Sequence, residues 1–309
     1  APELSNEDIW DDEWDRKHLG SDTAYQYFFG EIEKIREAHN GVNKVRNPEA
    51  IKLRYKTELG TQEIKIIYAK SPFHPGGRRQ LTLMNYGRTG SLGFLADLAI
   101  EQEYKNGHDV ALVSYSGFDE NPGKPNQGQV AENLDAALSF LMREKKYKSE
   151  NINFIACSLG CDALINMLAR RAKKLEAANQ KIEQFGHFEL RCPFTSVKDM
   201  MIKHYGQIKG RYVLALLKRK PLNLYENLNF AFQAMSSATI IAGKKDPIIP
   251  YEQSKKVYEK LQKLFLDHKK GTFVEFLAVE EVERLNKHVP ESVSKWYHPR
   301  ICTMPNLLT

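Results

Sequence analysis

Ser158 stands between two small residues in the stretch Asn153-Phe154-Ile155-Ala156-Cys157-Ser158-Leu159-Gly160-Cys161. A short apolar run leads into it. Behind it, Leu164, Ile165, Met167 and Leu168 recur with the spacing of one apolar helix face. Strand, sharp turn and helix with a serine at the apex is the pattern of a nucleophile elbow, here Ala-x-Ser-x-Gly in place of Gly-x-Ser-x-Gly. The requirement is steric: a serine in a strained turn needs flanking residues without bulk where the strand and helix backbones approach, and Ala156 adds one methyl group to that space. Such a serine becomes a nucleophile toward a carbonyl carbon when a base takes its proton. The same residues also suit a buried strand followed by an ordinary helix that begins with Ser.

The elements around Ser158 alternate. Ser21 to His39 reads as a helix with Tyr25, Phe28, Phe29, Ile32 and Ile35 on one face. Residues 51–58 and 62–69 alternate as a hairpin around Gly60, and 71–79 is a loop rich in Pro and Gly. Strands are expected at 81–85, 110–115, 153–157, 188–192, 239–242 and 273–278. Helices are expected at 93–104, 130–146, 161–177 and 253–266. This order means right-handed βαβ crossovers and a mostly parallel eight-stranded sheet covered on both faces. Ligands on such sheets bind beyond the C-terminal strand ends, so the residues just after each strand carry the functional information.

The whole chain suits such a fold. With 309 residues, 42% of them hydrophobic and 27% charged, it can bury a large core. No apolar run is long enough to span a bilayer. Residues 1–50 carry twelve acidic and six basic side chains, net −6, which leaves +12 for residues 51–309. The acidic stretch Glu7 to Asp15 holds Trp10 and Trp14 at helical spacing and is either a solvated tail or a segment that contacts a protein surface. The scattered basic residues form no nucleic-acid module. Four cysteines, Cys157, Cys161, Cys192 and Cys302, read as small buried thiols in a reducing compartment, the cytoplasm before a secreted or periplasmic location. Ala1 in place of Met reads as a processed or trimmed start.

The strand ends supply further signals: Asn85-Tyr86-Gly87-Arg88, Tyr115-Ser116-Gly117-Phe118, Pro193-Phe194-Thr195-Ser196-Val197-Lys198-Asp199-Met200, Gly243-Lys244-Lys245-Asp246-Pro247-Ile248-Ile249-Pro250 and, after the last strand, His288. Five such segments in this order resemble the α/β-hydrolase superfamily over about residues 50–298. The likeness is greatest to small serine hydrolases with a His-Gly-Asn oxyanion turn, with a weaker similarity to the fatty acyl-transferases of bacterial luminescence systems. The resemblance implies Ser158 as nucleophile, Asp246 as the orienting acid and His288 as the base, with the N–H groups of Arg88 and Leu159 as the oxyanion hole. Tyr86 stands where that group has a histidine, and His288 lacks the glycine that usually precedes it. His268 and His298 are the competitors. His288 is preferred because Pro290 suits the first position of the next helix and leaves His288 in the preceding loop.

The domain reading follows: an acidic extension with a helix at 1–49, a hydrolase core at 50–196 and 236–309, and a cap at 197–235. In the cap, Leu214 and Leu217 lie in an apolar stripe that would line an acyl pocket beside Tyr86, or simply pack the cap onto the core. The expected chemistry is hydrolysis of an ester or thioester with an apolar acyl group. No metal or organic cofactor is needed, and no Gly-x-Gly-x-x-Gly turn follows a strand to hold a dinucleotide. Two alternatives remain: an acyl-transferase or thioesterase acting on carrier or CoA thioesters, and a noncatalytic binding protein on the same fold.

Overall fold

The structure, a computed structural model, describes residues 49–57, 60–71, 74, 77–86, 106–116, 121, 127–206, 223–244, 246, 248–268 and 274–279. Eight strands form one sheet in the order β1-β2-β4-β3-β5-β6-β7-β8. They are β1 (Glu49–Thr57), β2 (Gly60–Ala69), β3 (Leu81–Asn85), β4 (Asp109–Val113), β5 (Ile152–Cys157), β6 (Phe185–Arg191), β7 (Met235–Gly243) and β8 (Val274–Val279). The β1–β2 and β2–β4 pairs are antiparallel and the pairs from β4 to β8 are parallel.

The sequence explains the division. In β1 the inward Ile51, Leu53 and Tyr55 alternate with the exposed Lys52 and Arg54, as befits an edge strand with one wet face. The central strands Leu-Thr-Leu-Met-Asn and Asp-Val-Ala-Leu-Val are buried throughout, because helices cover both faces of the parallel part. The described helices are α1 (Gln127–Arg143), α2 (Leu159–Ala177), α3 (Val197–Tyr205), α4 (Leu224–Ala231) and α5 (Tyr251–Asp267). Helix α2 packs between α1 and α4, and α5 lies against β7 and β8. Phe154 anchors the core, stacked on Phe188 at 4.8 Å and edge-on to Phe185 at 5.4 Å.

Two helices lie where the sequence showed only a cap insertion. Ser196 caps α3 by accepting the Asp199 N–H at 3.0 Å, and Asn223 caps α4 by accepting the Glu226 N–H at 3.1 Å. Leu224, Leu228 and Ala231 of α4 join the main core. No described helix is long and apolar enough to cross a membrane.

Candidate active site

The parallel register sets Cys157, Arg191, Ile241 and Leu277 in one row across β5, β6, β7 and β8. The next residue on β5 is Ser158. Its φ of 52° and ψ of −119° lie where only a tightly enforced turn holds a residue with a side chain. The enforcement is visible. The Ser158 N–H donates to the Arg191 carbonyl at 2.9 Å, which ties the turn to the neighbouring strand. Two residues on, a Cβ at Gly160 would meet the backbone oxygens of Asn85 and Tyr86 at 2.7 Å each, so only glycine lets the start of α2 sit against the end of β3. Asn85 Nδ2 closes the contact by donating to the Gly160 carbonyl at 2.6 Å. Ser158 itself remains partly exposed at the apex.

Leu159 opens α2, where the first backbone N–H groups have no acceptor within the helix and carry the positive end of its dipole. That is the place for an oxyanion donor. Tyr86 is buried directly after β3, at the foot of the elbow, and the Tyr115 hydroxyl donates to its carbonyl at 3.4 Å.

Asp246 follows β7 by three residues and is 92% buried, since its relative exposure is 8%. Its Oδ1 accepts the N–H groups of Ile248 at 2.8 Å and Ile249 at 2.9 Å, which hold the carboxylate in an Asx-type turn at the C-terminal edge of the sheet. Burial and the nearby Asp246 carboxylate push the thiol of Cys192, one residue past β6, well above its usual pKa. Cys192 and Ile249 belong to a small apolar cluster with Phe194, Met200 and Ile241, packed against Leu159. The elbow and the acid turn therefore share one support. Arg88, Leu214, Leu217 and His288 lie outside the described residues, as do Trp10 and Trp14.

One reading is corrected. Cys157 is disulfide-bonded and is not the free thiol expected beside the nucleophile, whereas Cys161 and Cys192 are free and buried; Cys302 lies outside the described residues. Cys161 is an inert thiol: its Sγ donates to the carbonyls of Ala156 at 3.2 Å and Arg191 at 3.4 Å, and burial pushes its pKa well up.

Asp162, in the first turn of α2, was not singled out from the sequence. It is fully buried, neither carboxyl oxygen has a hydrogen-bond partner among the described residues, and burial pushes its pKa up to about 7. Among the described residues no group of three or more His, Cys, Asp or Glu could hold a metal ion.

No family model matches the chain. An uncharacterized protein of Mycobacterium tuberculosis is 25% identical over 186 residues, 60% of this chain and 59% of the relative's length. Solved structures align more widely. An esterase from Pyrococcus furiosus covers 80% of this chain and 89% of its own, with 17% identity and a TM-score of 0.52. An acylaminoacyl peptidase from Pyrococcus horikoshii covers 87% of this chain and 41% of its own, with 13% identity and a TM-score of 0.53. A puromycin-hydrolyzing peptidase from Mycobacterium tuberculosis covers 76% of this chain and 36% of its own, with 14% identity and a TM-score of 0.52. Strand order, elbow and neighbours agree that the chain has the α/β-hydrolase fold.

Proposed function

We propose that the protein is a serine hydrolase that cleaves a carboxylic ester or thioester with an apolar acyl group. The observation that carries this reading is the backbone of Ser158, which holds a side chain at φ 52° on the apex between β5 and α2. Strain of this kind costs on the order of 1–3 kcal/mol and persists only where the surroundings impose it. Here it lifts the hydroxyl out of the sheet edge and sets it beside the N-terminus of a helix.

In the proposed reaction His288 takes the Ser158 proton as Oγ attacks the substrate carbonyl. Asp246 accepts a hydrogen bond from the imidazole, fixes its tautomer and stabilises the imidazolium. The N–H groups of Leu159 and Arg88 bind the oxyanion of the tetrahedral intermediate. Collapse expels the alcohol or thiol, which takes the proton from His288. Water then repeats the sequence on the acyl-enzyme and releases the acid. Leu214, Leu217 and Tyr86 are the proposed contacts of the acyl chain.

The esterase and peptidase neighbours support hydrolysis as the reaction type. The test is a panel of p-nitrophenyl esters from acetyl to octanoyl, run beside acyl-CoA thioesters. Hydrolysis is expected to rise with chain length, since each buried methylene is worth about 0.8 kcal/mol, and to vanish in Ser158→Ala. Turnover that survives Ser158→Ala rejects the mechanism. A strict preference for acetyl esters rejects the acyl pocket alone.

A further inference from the structure

The last residue of β3 breaks the pattern of its strand. Leu81 and Leu83 belong to the main core, and Asn85, two residues on, shares their face of the sheet. An aliphatic residue would suit that place. Asn85 is 1% exposed, and its Oδ1 has no hydrogen-bond partner among the described residues. A buried amide oxygen left unpaired costs stability, so an asparagine here needs its own explanation.

It lies at the other end of the amide. Nδ2 donates to the Gly160 carbonyl at 2.6 Å, in the first turn of α2. A carbonyl only accepts, so this contact fixes which end of the amide faces it. The start of α2 is thus held from two sides. Toward β6, the Ser158 N–H and the Cys161 Sγ both donate to the Arg191 carbonyl, at 2.9 and 3.4 Å. Toward β3, the Asn85 amide holds Gly160. The residues so spanned, Ser158 to Cys161, include the serine and the Leu159 N–H of the proposed mechanism.

We infer that Asn85 is a positioning residue for the nucleophile elbow: its amide ties the first turn of α2 to the end of β3, and so fixes the Ser158 hydroxyl and the Leu159 N–H relative to the sheet edge. This role presupposes the serine hydrolase reading. It accounts for a polar residue where the strand pattern calls for an aliphatic one. The Gly160 carbonyl also takes the helix's own N–H from four residues on, so loss of the amide leaves no unpaired group in α2. Loss of Oδ1 removes an unpaired group from β3. Asn85 therefore supplies placement and little net stability.

The test follows fluorophosphonate labelling of the full chain against probe concentration, which separates bond formation from probe binding. It is run from about pH 5 to 9, with thermal denaturation of each variant. Asn85→Val removes both polar atoms without reaching Gly160. It is expected to label roughly tenfold more slowly at saturating probe, with probe binding, apparent pKa and thermal transition close to wild type. Asn85→Asp is expected to depend on its own proton. The protonated carboxyl can donate to Gly160 as the amide does, and the carboxylate cannot. Burial raises such a carboxyl, so labelling relative to wild type is expected to fall as pH rises through the interval. Thr82→Val removes another buried polar group of β3, on the opposite face, and is expected to label as wild type. Asn85→Val labelling at the wild-type rate overturns the inference. So does slow labelling that only tracks a lowered thermal transition, or a Thr82→Val protein slowed as much. If Asn85→Val does not fold, the ratio of Asn85→Asp to wild type decides, and a ratio that stays constant with pH overturns the inference. These outcomes leave the hydrolase reading standing, whereas a wild-type protein that takes no label overturns both.

Discussion

Two fully buried carboxyls lie at opposite ends of the same sheet, and they are treated in opposite ways. Asp109, at the start of β4, is saturated. Its Oδ1 accepts the Ser71 N–H at 2.7 Å, its Oδ2 accepts Arg79 Nε at 2.5 Å, and Tyr147 donates its hydroxyl to the same oxygen. The Tyr147 and Tyr68 hydroxyls are 2.8 Å apart, and Arg79 reaches Tyr68 as well. Asp162, at the start of α2 beside the elbow, has no partner for either oxygen among the described residues. Both side chains are 0% exposed. A buried charge without partners is costly, so Asp162 stays protonated over a wide pH range while Asp109 is held as one member of a closed network. Strain follows the same division. The left-handed residues at strand ends, Ser158 and Cys192, lie on the side of Asp162 and Asp246. One end of the sheet is built for stability, and the other keeps strain and unmet polar capacity where ligands bind in sheets of this kind.

Breaking the satisfied end is expected to have the largest effect on stability. Asp109→Ala strands the Arg79 guanidinium and two further donors, and about 3–5 kcal/mol is the expected loss in urea unfolding. The fraction that remains folded is expected to take fluorophosphonate as fast as wild type, since the network lies at the far end of the strands.

Gly160→Ala attacks the other end. Its Cβ would press on two backbone carbonyl oxygens that cannot retreat, which places the cost near the top of the 1–3 kcal/mol range for overpacking, about 3 kcal/mol. Unlike Asp109→Ala, it is expected to slow labelling of the folded protein, because the shift of α2 misplaces both Ser158 and the Leu159 N–H. A Gly160→Ala protein with wild-type labelling would separate the elbow from its proposed role.

Asp162 separates the two ends by pH. Its folded pKa of about 7 lies above the unfolded value near 3.9. Its contribution to stability is therefore present in full below about pH 4 and is lost as pH rises toward 7. Between pH 5 and 7 this one group removes about 2 kcal/mol. Asp162→Asn is expected to flatten that slope, and unfolding free energies measured across the interval check it. An unchanged slope would show that Asp162 ionises freely in the fold and that its burial carries no such cost. The smallest effect belongs to Tyr68→Phe, which deletes an outer member of the Asp109 network and is expected to cost about 1 kcal/mol.

The sheet was legible in the sequence because buried parallel strands are continuous apolar runs between turn residues. Leu81 to Asn85 matches β3 at both ends, and the expected strand at 153–157 differs from β5 by one residue. The start of β6 was not legible. Gly186 and His187 look like a loop, yet the Asn153 side chain occupies the space a Cβ at Gly186 would need and accepts the His187 N–H at 2.8 Å. Helices α3 and α4 were missed although each begins with a capping residue and an acid three positions later, Ser196 with Asp199 and Asn223 with Glu226. The apolar character of the stretch drew attention to a pocket and away from these signals.

The places of Ser158 and Asp246 just past β5 and β7 were legible because each follows an apolar strand, the first between Ala156 and Gly160 and the second after Gly243. The nearness of Cys192 to Asp246 was not, since it depends on β6 lying beside β7. The unpartnered carboxyl of Asp162 was hidden for a similar reason: an acid in the first turn of a helix is ordinary, and only its full burial makes it unusual.

The strained apex of β5 and α2 is proposed to present an activated serine. Labelling of the wild-type protein with a fluorophosphonate probe, followed by peptide mass spectrometry, addresses it most directly. One modified site is expected, on Ser158, with labelling lost in Ser158→Ala while the thermal transition of that variant stays close to wild type. A protein that takes no label, or one that is labelled elsewhere and equally in Ser158→Ala, would contradict it.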